Sequence, residues 1–289
     1  TVEDCSNYAV YFASGVNSAT IENLTVKNSD NGFVINNTAN RALTLKNCKL
    51  ENVGTAVAEA NGTNTITCTL LGNENDFGTS ASSQYAKYVL AEADATLTAP
   101  EGFNVTTSVA DHIVKYKDGK YIVVGANVQV KDVDEVKGTF ATLAEAITAA
   151  QAGNTIVLLN NITEDVTVNK NLTIDGASKN YTGTMTANAG LTVTVQNVNF
   201  VNAGFAKNTK STTGTYTFKD CTFDGAAKTY AYPLKFRGAN KIIVENCTVK
   251  DYLYSFLYVA NSTNNVNVTN VTVEDCSNYA VYFASGVNS

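Results

Sequence analysis

The sequence predicts an all-β fold, a β-solenoid in which short parallel strands stack coil upon coil, and three observations point to it. Composition favours short strands and tight turns: Val, Thr, Asn, Ala and Tyr dominate, against two Pro, one Met and no Trp in 289 residues. A short motif recurs roughly every 24 residues, the pattern of repeat units that cannot bury an apolar face alone and must stack. Finally, the eighteen residues TVEDCSNYAVYFASGVNS at 1–18 return letter for letter at 272–289, which reads as a second, longer period of 271 residues.

The short period is carried by seven segments: IENLTVKN from 21, LKNCKLEN from 45, KNLTIDG from 170, VQNVNFVN from 195, FKDCTFDG from 218, VENCTVKD from 244 and VTNVTVED from 268. Six fit one template, apolar, any residue, Asn or Asp, apolar, polar, apolar; KNLTIDG fits from Asn171 onward. The fourth positions are Leu24, Cys48, Leu172, Val198, Cys221, Cys247 and Val271, with steps of 24 in the first half and 26, 23, 26 and 24 in the second. Shifted by 271, Leu24 falls 24 beyond Val271, so the short period crosses the junction of the long one in phase. Apolar residues on both sides of the third position predict a bend between two short strands whose side chains point inward. The third positions are Asn23, Asn47, Asn171, Asn197, Asp220, Asn246 and Asn270. Asn and Asp tolerate the left-handed backbone of such a bend, and stacked amides can bond along the stack. The N-x-[ST] sequons that this template generates therefore need no glycan to explain them.

Past Cys68 the rhythm loosens, and 73–107, with Pro100 and Gly102 marking a turn, reads as closing coils and a cap. Charge is denser in 109–137, where Asp118-Gly119 between alternating runs predicts a β-hairpin acting as a solvated connector. An amphipathic helix is expected next: Leu143, Ala146, Ile147 and Ala150 fall at helical spacing, Thr142 serves as N-cap before Glu145, and Gly153 stops it. Caps are needed because an open solenoid end presents unpaired backbone. The expected domains are 1–108, the C-terminal half of a solenoid with its cap; 109–137, the connector; and 138–289, a capping helix and the first half of the next solenoid. On this reading the chain is a window on a tandem array, and the edges near Thr1 and Ser289 are adhesive.

The bend template, together with GTFATLAEAITAAQAGNTIVLLNNITEDVTVNKNLTIDG at 138–176, resembles the right-handed parallel β-helix of the pectin-lyase-like class. That class has an internal asparagine ladder and an amphipathic helix over its first coil. The resemblance is closest to β-helix repeats of long bacterial surface proteins and adhesins, and it covers about 20–72 and 138–289. It implies the fold; for activity it implies less, because related β-helices include polysaccharide lyases and hydrolases.

A net charge of −6 and only two arginines, Arg41 and Arg237, argue against a nucleic-acid binder, and no apolar run approaches a membrane span. Cys5, Cys48, Cys68, Cys221, Cys247 and Cys276 match no metal-site spacing, and their apolar neighbours predict buried, reduced thiols. A histidine-based triad would have to use His112, the single histidine, which reads as structural. The DVDE at 132–135 lacks the glycine and spacing of a calcium loop. Glycoside hydrolysis needs two carboxylates facing one cleft. The densest acids, Asp220, Asp224, Asp251 and Asp275, all have a turn or ladder reading, and Arg237 is the one arginine near them. No catalytic residue, metal or cofactor is assigned.

The residues singled out for binding are Tyr254, Tyr258, Tyr282 and its repeat equivalent Tyr11. Aligned coils put Tyr258, Tyr282 and Ile35 in one column beside Leu257, Val281 and Val34. Because strand residues alternate faces, a core column of Leu257 and Val281 turns the tyrosines outward, where they can stack on sugars or on a protein partner; the reverse facing makes them core. The expected function is a non-catalytic structural or adhesive tandem repeat of a long extracellular bacterial surface or filament-forming protein. Its expected partners are neighbouring repeats or copies of itself, and host or cell-surface glycans. The alternatives are a carbohydrate-active β-helix, lyase or glycosidase, and a carbohydrate-binding module.

Overall fold

A computed structural model describes residues 1–36, 42–60, 65–79, 81–82, 86–226, 228–261 and 263–284. Arg41 and the last five residues of the second eighteen-residue copy, 285–289, lie outside the described residues. The chain is 56% strand and 3% helix. It folds as a β-solenoid of about 12 turns, in two units, Thr1–Gly125 and Ala126–Ser289.

In the first unit the coils build two parallel sheets. One runs through Val2–Glu3, Thr25–Ile35, Lys49–Glu59, Asn75–Asp76 and Thr96–Thr98; the other through Ser18–Glu22, Ala42–Lys46, Ile66–Leu71, Ala86–Leu90 and Val105–Thr107. The register keeps the 24-residue step, with Val2 opposite Val26 and Val26 opposite Leu50. Alternate residues such as Val26, Leu45, Leu50, Cys68 and Leu70 fill the interior. Toward the far end the Tyr88 ring lies 5.6 Å from Phe77 and 5.5 Å from Phe103.

The expected hairpin forms from His112–Lys117 and Lys120–Gly125, turning on Asp118 (φ 51°) and Gly119 (φ 78°). Both are left-handed, as a tight turn between right-twisted strands requires. Its role differs from that of a free connector. Thr96–Thr98 pairs antiparallel with residues 120–122 of the hairpin. Buried Tyr121 donates its hydroxyl to the Pro100 carbonyl at 3.0 Å and accepts the Phe103 N–H at 2.8 Å. Reversing strand direction there occupies the last parallel edge of that sheet, so the hairpin is part of the first unit and caps this sheet of it.

A second antiparallel hairpin, Val128–Asp132 with Glu135–Phe140, opens the second unit, and its first strand pairs antiparallel with Thr155–Leu158. The helix forms at Leu143–Ala149, with Thr142 Oγ1 accepting the Glu145 N–H at 3.2 Å and Leu143, Ala146 and Ile147 buried. The following coils complete it. Both Glu164 carboxylate oxygens accept N–H groups of its first turn, from Leu143 at 3.0 Å and Ala144 at 3.2 Å. Lys170 Nζ donates to the carbonyls of Thr148 and Ala150 at its other end, at 3.0 and 2.8 Å. Each charge sits where the helix dipole and its orphan backbone groups favour it.

Beyond the helix, Leu172, Val193, Tyr216, Ile242 and Val266 face one another in turn, in steps of 21, 23, 26 and 24. The other sheet stacks Asn180–Ala187, Asn199–Lys207, then Thr222–Asp224 with Leu234–Phe236, Thr248–Lys250 with Leu257–Val259, and Thr272–Glu274 with Val281–Phe283. Between the sheets the Phe200 and Phe223 rings lie parallel, 4.7 Å apart at 9°.

Six of the seven bend residues adopt the left-handed backbone: Asn23, Asn47, Asn197, Asp220, Asn246 and Asn270 have φ of 56°, 51°, 53°, 52°, 54° and 53°. Asn171 does not, which corrects the alignment of KNLTIDG. Leu172 faces Val193 rather than Val198, and the bend of that coil falls at Gly176, Ala177 (φ 45°) and Ser178 (φ 62°). Gly176 is required there, because a Cβ would collide with the Asn197 carbonyl and the Val198 backbone. Along the stack, Asn246 Nδ2 donates to Asp220 Oδ1 at 3.1 Å and Asn270 Nδ2 to Asn246 Oδ1 at 2.9 Å. A second, unanticipated ladder follows another turn of the first unit. There Asn28 donates to Asp4 and Asn52 to Asn28, both at 3.0 Å, and all three have φ between 50° and 56°.

Candidate functional site

The aromatic stripe is positioned by the sheet that ends in Leu257–Val259 and Val281–Phe283. Lys235, Tyr258 and Tyr282 stand in register on successive coils. Their neighbours Leu234 and Leu257 are fully buried and Val281 packs against the same core, so alternation turns the Lys-Tyr-Tyr column outward. Turn residues widen it. Tyr232 lies 5.3 Å from Tyr254 and 5.2 Å from Tyr258, Tyr258 lies 5.5 Å from Tyr282, and Tyr279 stacks on Tyr282 at 5.6 Å and 17°. Lys235 Nζ sits 5.9 Å from the Tyr232 ring centre. Burial, then the neighbouring phenols of Tyr258, Tyr254 and Tyr282, push the Tyr232 hydroxyl up. Tyr254, Tyr279 and Tyr282 are 42%, 56% and 40% exposed.

Three of the four tyrosines singled out from the sequence, Tyr254, Tyr258 and Tyr282, therefore share one surface. Tyr11 lies in the other unit, 45% exposed, and stacks on Tyr8 at 5.4 Å and 21°, as Tyr282 does on Tyr279. Its column needs correction. Tyr11 faces Val34, and Ile35 faces Phe12 and belongs to the core. The cause is a turn shorter by one residue: Val2 meets Val26 at a step of 24, but Tyr8 meets Asn31 at 23.

The acids considered for glycoside chemistry each hold a structural position. Asp220 accepts from Asn246 in the ladder. Asp224 pairs with Lys250 at 2.9 Å and accepts the Ala226 N–H at 2.9 Å; the Lys250 hydrogen bond holds its carboxyl below the ordinary value. Asp251 and Asp275 are left-handed turn residues, with φ of 61° and 53°. A groove of about 490 Å³ crosses the outer face of the same sheet, lined by the threonine column Thr222, Thr248 and Thr272 and by Asp224, Lys250 and Glu274. His112 holds its Nδ1 2.7 Å from the Ala110 carbonyl at the start of the capping hairpin. All six cysteines are free; Cys48, Cys68, Cys221 and Cys247 are buried, and Cys5 and Cys276 half-buried. Burial pushes the Cys68 thiol well above its ordinary range, away from nucleophilic use.

Lys207 carried no signal in the sequence. Fully buried, its ammonium donates to the carbonyls of Thr209 at 3.0 Å and of Ser211 and Gly238, each at 2.5 Å. Three donors meet three backbone acceptors, and the cation staples two loops of adjacent coils together. Burial pulls its pKa down. The convergence of those carbonyls depends on loops that share no motif, and only Gly238, at φ 149°, marks the close approach.

No protein-family model, curated protein or solved structure matches the chain.

Proposed function

We propose that the chain is a section of a structural or adhesive tandem array, part of a long extracellular bacterial surface or filament-forming protein, acting mechanically rather than by catalysis. The observation that supports this reading is how the two identical segments pair. In the first, Val2 faces Val26 and Phe12 faces Ile35, the coil that follows; in the second, Val273 faces Val249 and Phe283 faces Val259, the coil that precedes. Overlaid, the two copies make a single coil paired on both edges, through which a solenoid continues. A chain of two periods, residues 1–271 followed by 1–289, tests this. Amide exchange in its internal copy of Tyr8–Phe12 is expected to slow by about tenfold or more relative to either copy in 1–289. Equal exchange overturns the array. Release of reducing or unsaturated sugar ends from acidic or neutral polysaccharides overturns the non-catalytic reading.

The tyrosine stripe favours a second role, adhesion to surface glycans through ring stacking, because four ring contacts of 5.2 to 5.6 Å line one exposed face. A glycan retained by the wild-type chain and released by Tyr258→Ala with Tyr282→Ala supports that role; undiminished retention by the double variant removes it.

A further inference from the structure

The hairpin that opens the second unit does not lie flush on the helix behind it. Its inward face carries Val128, Val130 and Asp132 on one strand and Gly138 and Phe140 on the other, with Val128 opposite Phe140 and Val130 opposite Gly138. Val128 and Val130 are buried in the same core as Leu143, Ala146 and Ile147 of the helix. Toward the hairpin tip this apolar cover runs out, because Gly138 contributes no side chain and Asp132 is charged. A pocket of about 360 Å³ remains there, between the hairpin and the segment 149–154 at the helix end. The Phe140 ring lies over Gly138, where a Cβ would stand 2.9 Å from two ring atoms. Val130 faces Gly138 but Lys131 faces Val136, so Lys137 is the extra residue of a bulge. A bulge re-aims side chains, and Lys137 lines the pocket. Asn154 closes it from the other side. It is 6% exposed, and three of its four polar groups are engaged within the protein. Its N–H donates to the Gln151 carbonyl at 3.1 Å, its carbonyl accepts the Thr173 N–H at 3.0 Å, and its Oδ1 accepts the Gln151 N–H at 2.8 Å. Its Nδ2, the fourth, has no partner among the described residues and is left for the pocket. A buried amide donor is costly unless something accepts from it.

We propose that this pocket binds one neutral pyranose ring, with the Asn154 amide as its buried anchor. The volume lies at the small end of the roughly 300–1,000 Å³ of ligand pockets, room for a ring rather than an extended chain. A sugar ring has apolar C–H faces and hydroxyls that both donate and accept. It therefore matches an aromatic wall set between a donor and an acceptor. Asn154 Nδ2 donates to one hydroxyl, the Asp132 carboxylate accepts from another, and the Phe140 ring with Val130 takes the C–H face. Charge decides against an acidic sugar. Lys137 Nζ is already held by Glu135 Oε2 at 2.7 Å, and Asp132 adds a second carboxylate, so no cation is spare for a uronate. The pocket is built from other elements than the tyrosine stripe, so the two glycan readings stand or fall separately.

NMR titration of the isotope-labelled full chain with the methyl glycosides of glucose, galactose, mannose and N-acetylglucosamine tests this. At least one is expected to shift the Asn154 side-chain amide signal saturably, with a Kd of about 0.1 to 10 mM. Asp132→Ala, at an exposed position, removes the acceptor, and Phe140→Leu keeps an apolar side chain but removes the ring face. Each is expected to weaken that binding by about tenfold while the rest of the amide spectrum stays in place. Tyr258→Ala with Tyr282→Ala is expected to leave it unchanged, and galacturonate is expected to bind at least about tenfold more weakly than the best neutral glycoside. The proposal is overturned if none of the four sugars moves the Asn154 signal at about 50 mM, or if Asp132→Ala and Phe140→Leu bind like wild type. Loss of binding in the double tyrosine variant, or galacturonate held as tightly as a neutral sugar, overturns it as well.

Discussion

Asn28 donates from Nδ2 to Oδ1 of Asp4, 24 residues earlier in the chain and 3.0 Å away, while its own Oδ1 accepts from Asn52 at 3.0 Å. One exposed amide thus ties three successive coils, and it does so from a left-handed backbone at φ 50°. Asn28→Ala loses both bonds and meets the steric penalty of that backbone, an expected cost of about 2 kcal/mol. Asn28→Gly loses the bonds alone, about 1 kcal/mol. Urea unfolding separates the two; equal losses would show that the backbone contributes nothing.

Lys207→Met keeps the stem's length but leaves the carbonyls of Thr209, Ser211 and Gly238 without their donor. The expected loss is about 3 kcal/mol, read in thermal unfolding and in faster amide exchange around 209–214 and 237–240. A variant as stable as wild type would mean that water replaces the ammonium.

Burial pushes the Asp175 carboxyl up, but hydrogen bonds from Gln196 Nε2 at 2.8 Å, the Ala177 N–H at 2.9 Å and Asn197 Nδ2 at 3.2 Å outweigh it and hold the group below its ordinary value. A carboxylate whose folded pKa lies below its unfolded one adds stability that is present above about pH 4 and fades as pH falls through the folded value. Asp175→Asn should therefore be less stable than wild type at neutral pH, with the gap narrowing in acid. A gap that stays constant down to about pH 3 contradicts this assignment.

Alkylation of the native chain should modify Cys5 and Cys276 first, and Cys48, Cys68, Cys221 and Cys247 only once denaturant opens the coils. Peptide mass spectrometry reads the order directly. Native labelling of Cys68 at the rate of Cys5 would place that thiol outside the core.

The stacking order was legible because the bend makes a chemical demand that few residues meet, and Asn or Asp answers it at six coils. Legibility failed where coil length changes. From Leu172 to Val193 the coil is only 21 residues long, and Gly176, Ala177 and Ser178 make its bend, residue types outside the template. A turn shorter by one residue moved Ile35 from the tyrosine column into the core. Charge density in 109–137 suggested a solvated connector because it reports an exposed face. It says nothing of the antiparallel pairing to Thr96–Thr98 that makes the hairpin a cap. The outward tyrosines followed from alternation around Leu257, whereas their contact across coils follows from a spacing that is a property of the stack rather than of any segment. Lys207 is the opposite case, since nothing local distinguishes it from a solvated strand-end lysine.

The amide ladders have a direction. Asn28 to Asp4, Asn52 to Asn28, Asn246 to Asp220 and Asn270 to Asn246 all donate toward the earlier coil, and the two runs rest on an aspartate, Asp4 or Asp220. Within each unit the dipoles of its ladder therefore add instead of cancelling, with the positive pole toward that unit's earlier coils and a carboxylate there to neutralise it. Such a stack is electrically polar along its axis although its strands run across that axis. Two stacks meeting by like ends would oppose each other's fields, while unlike ends would reinforce them.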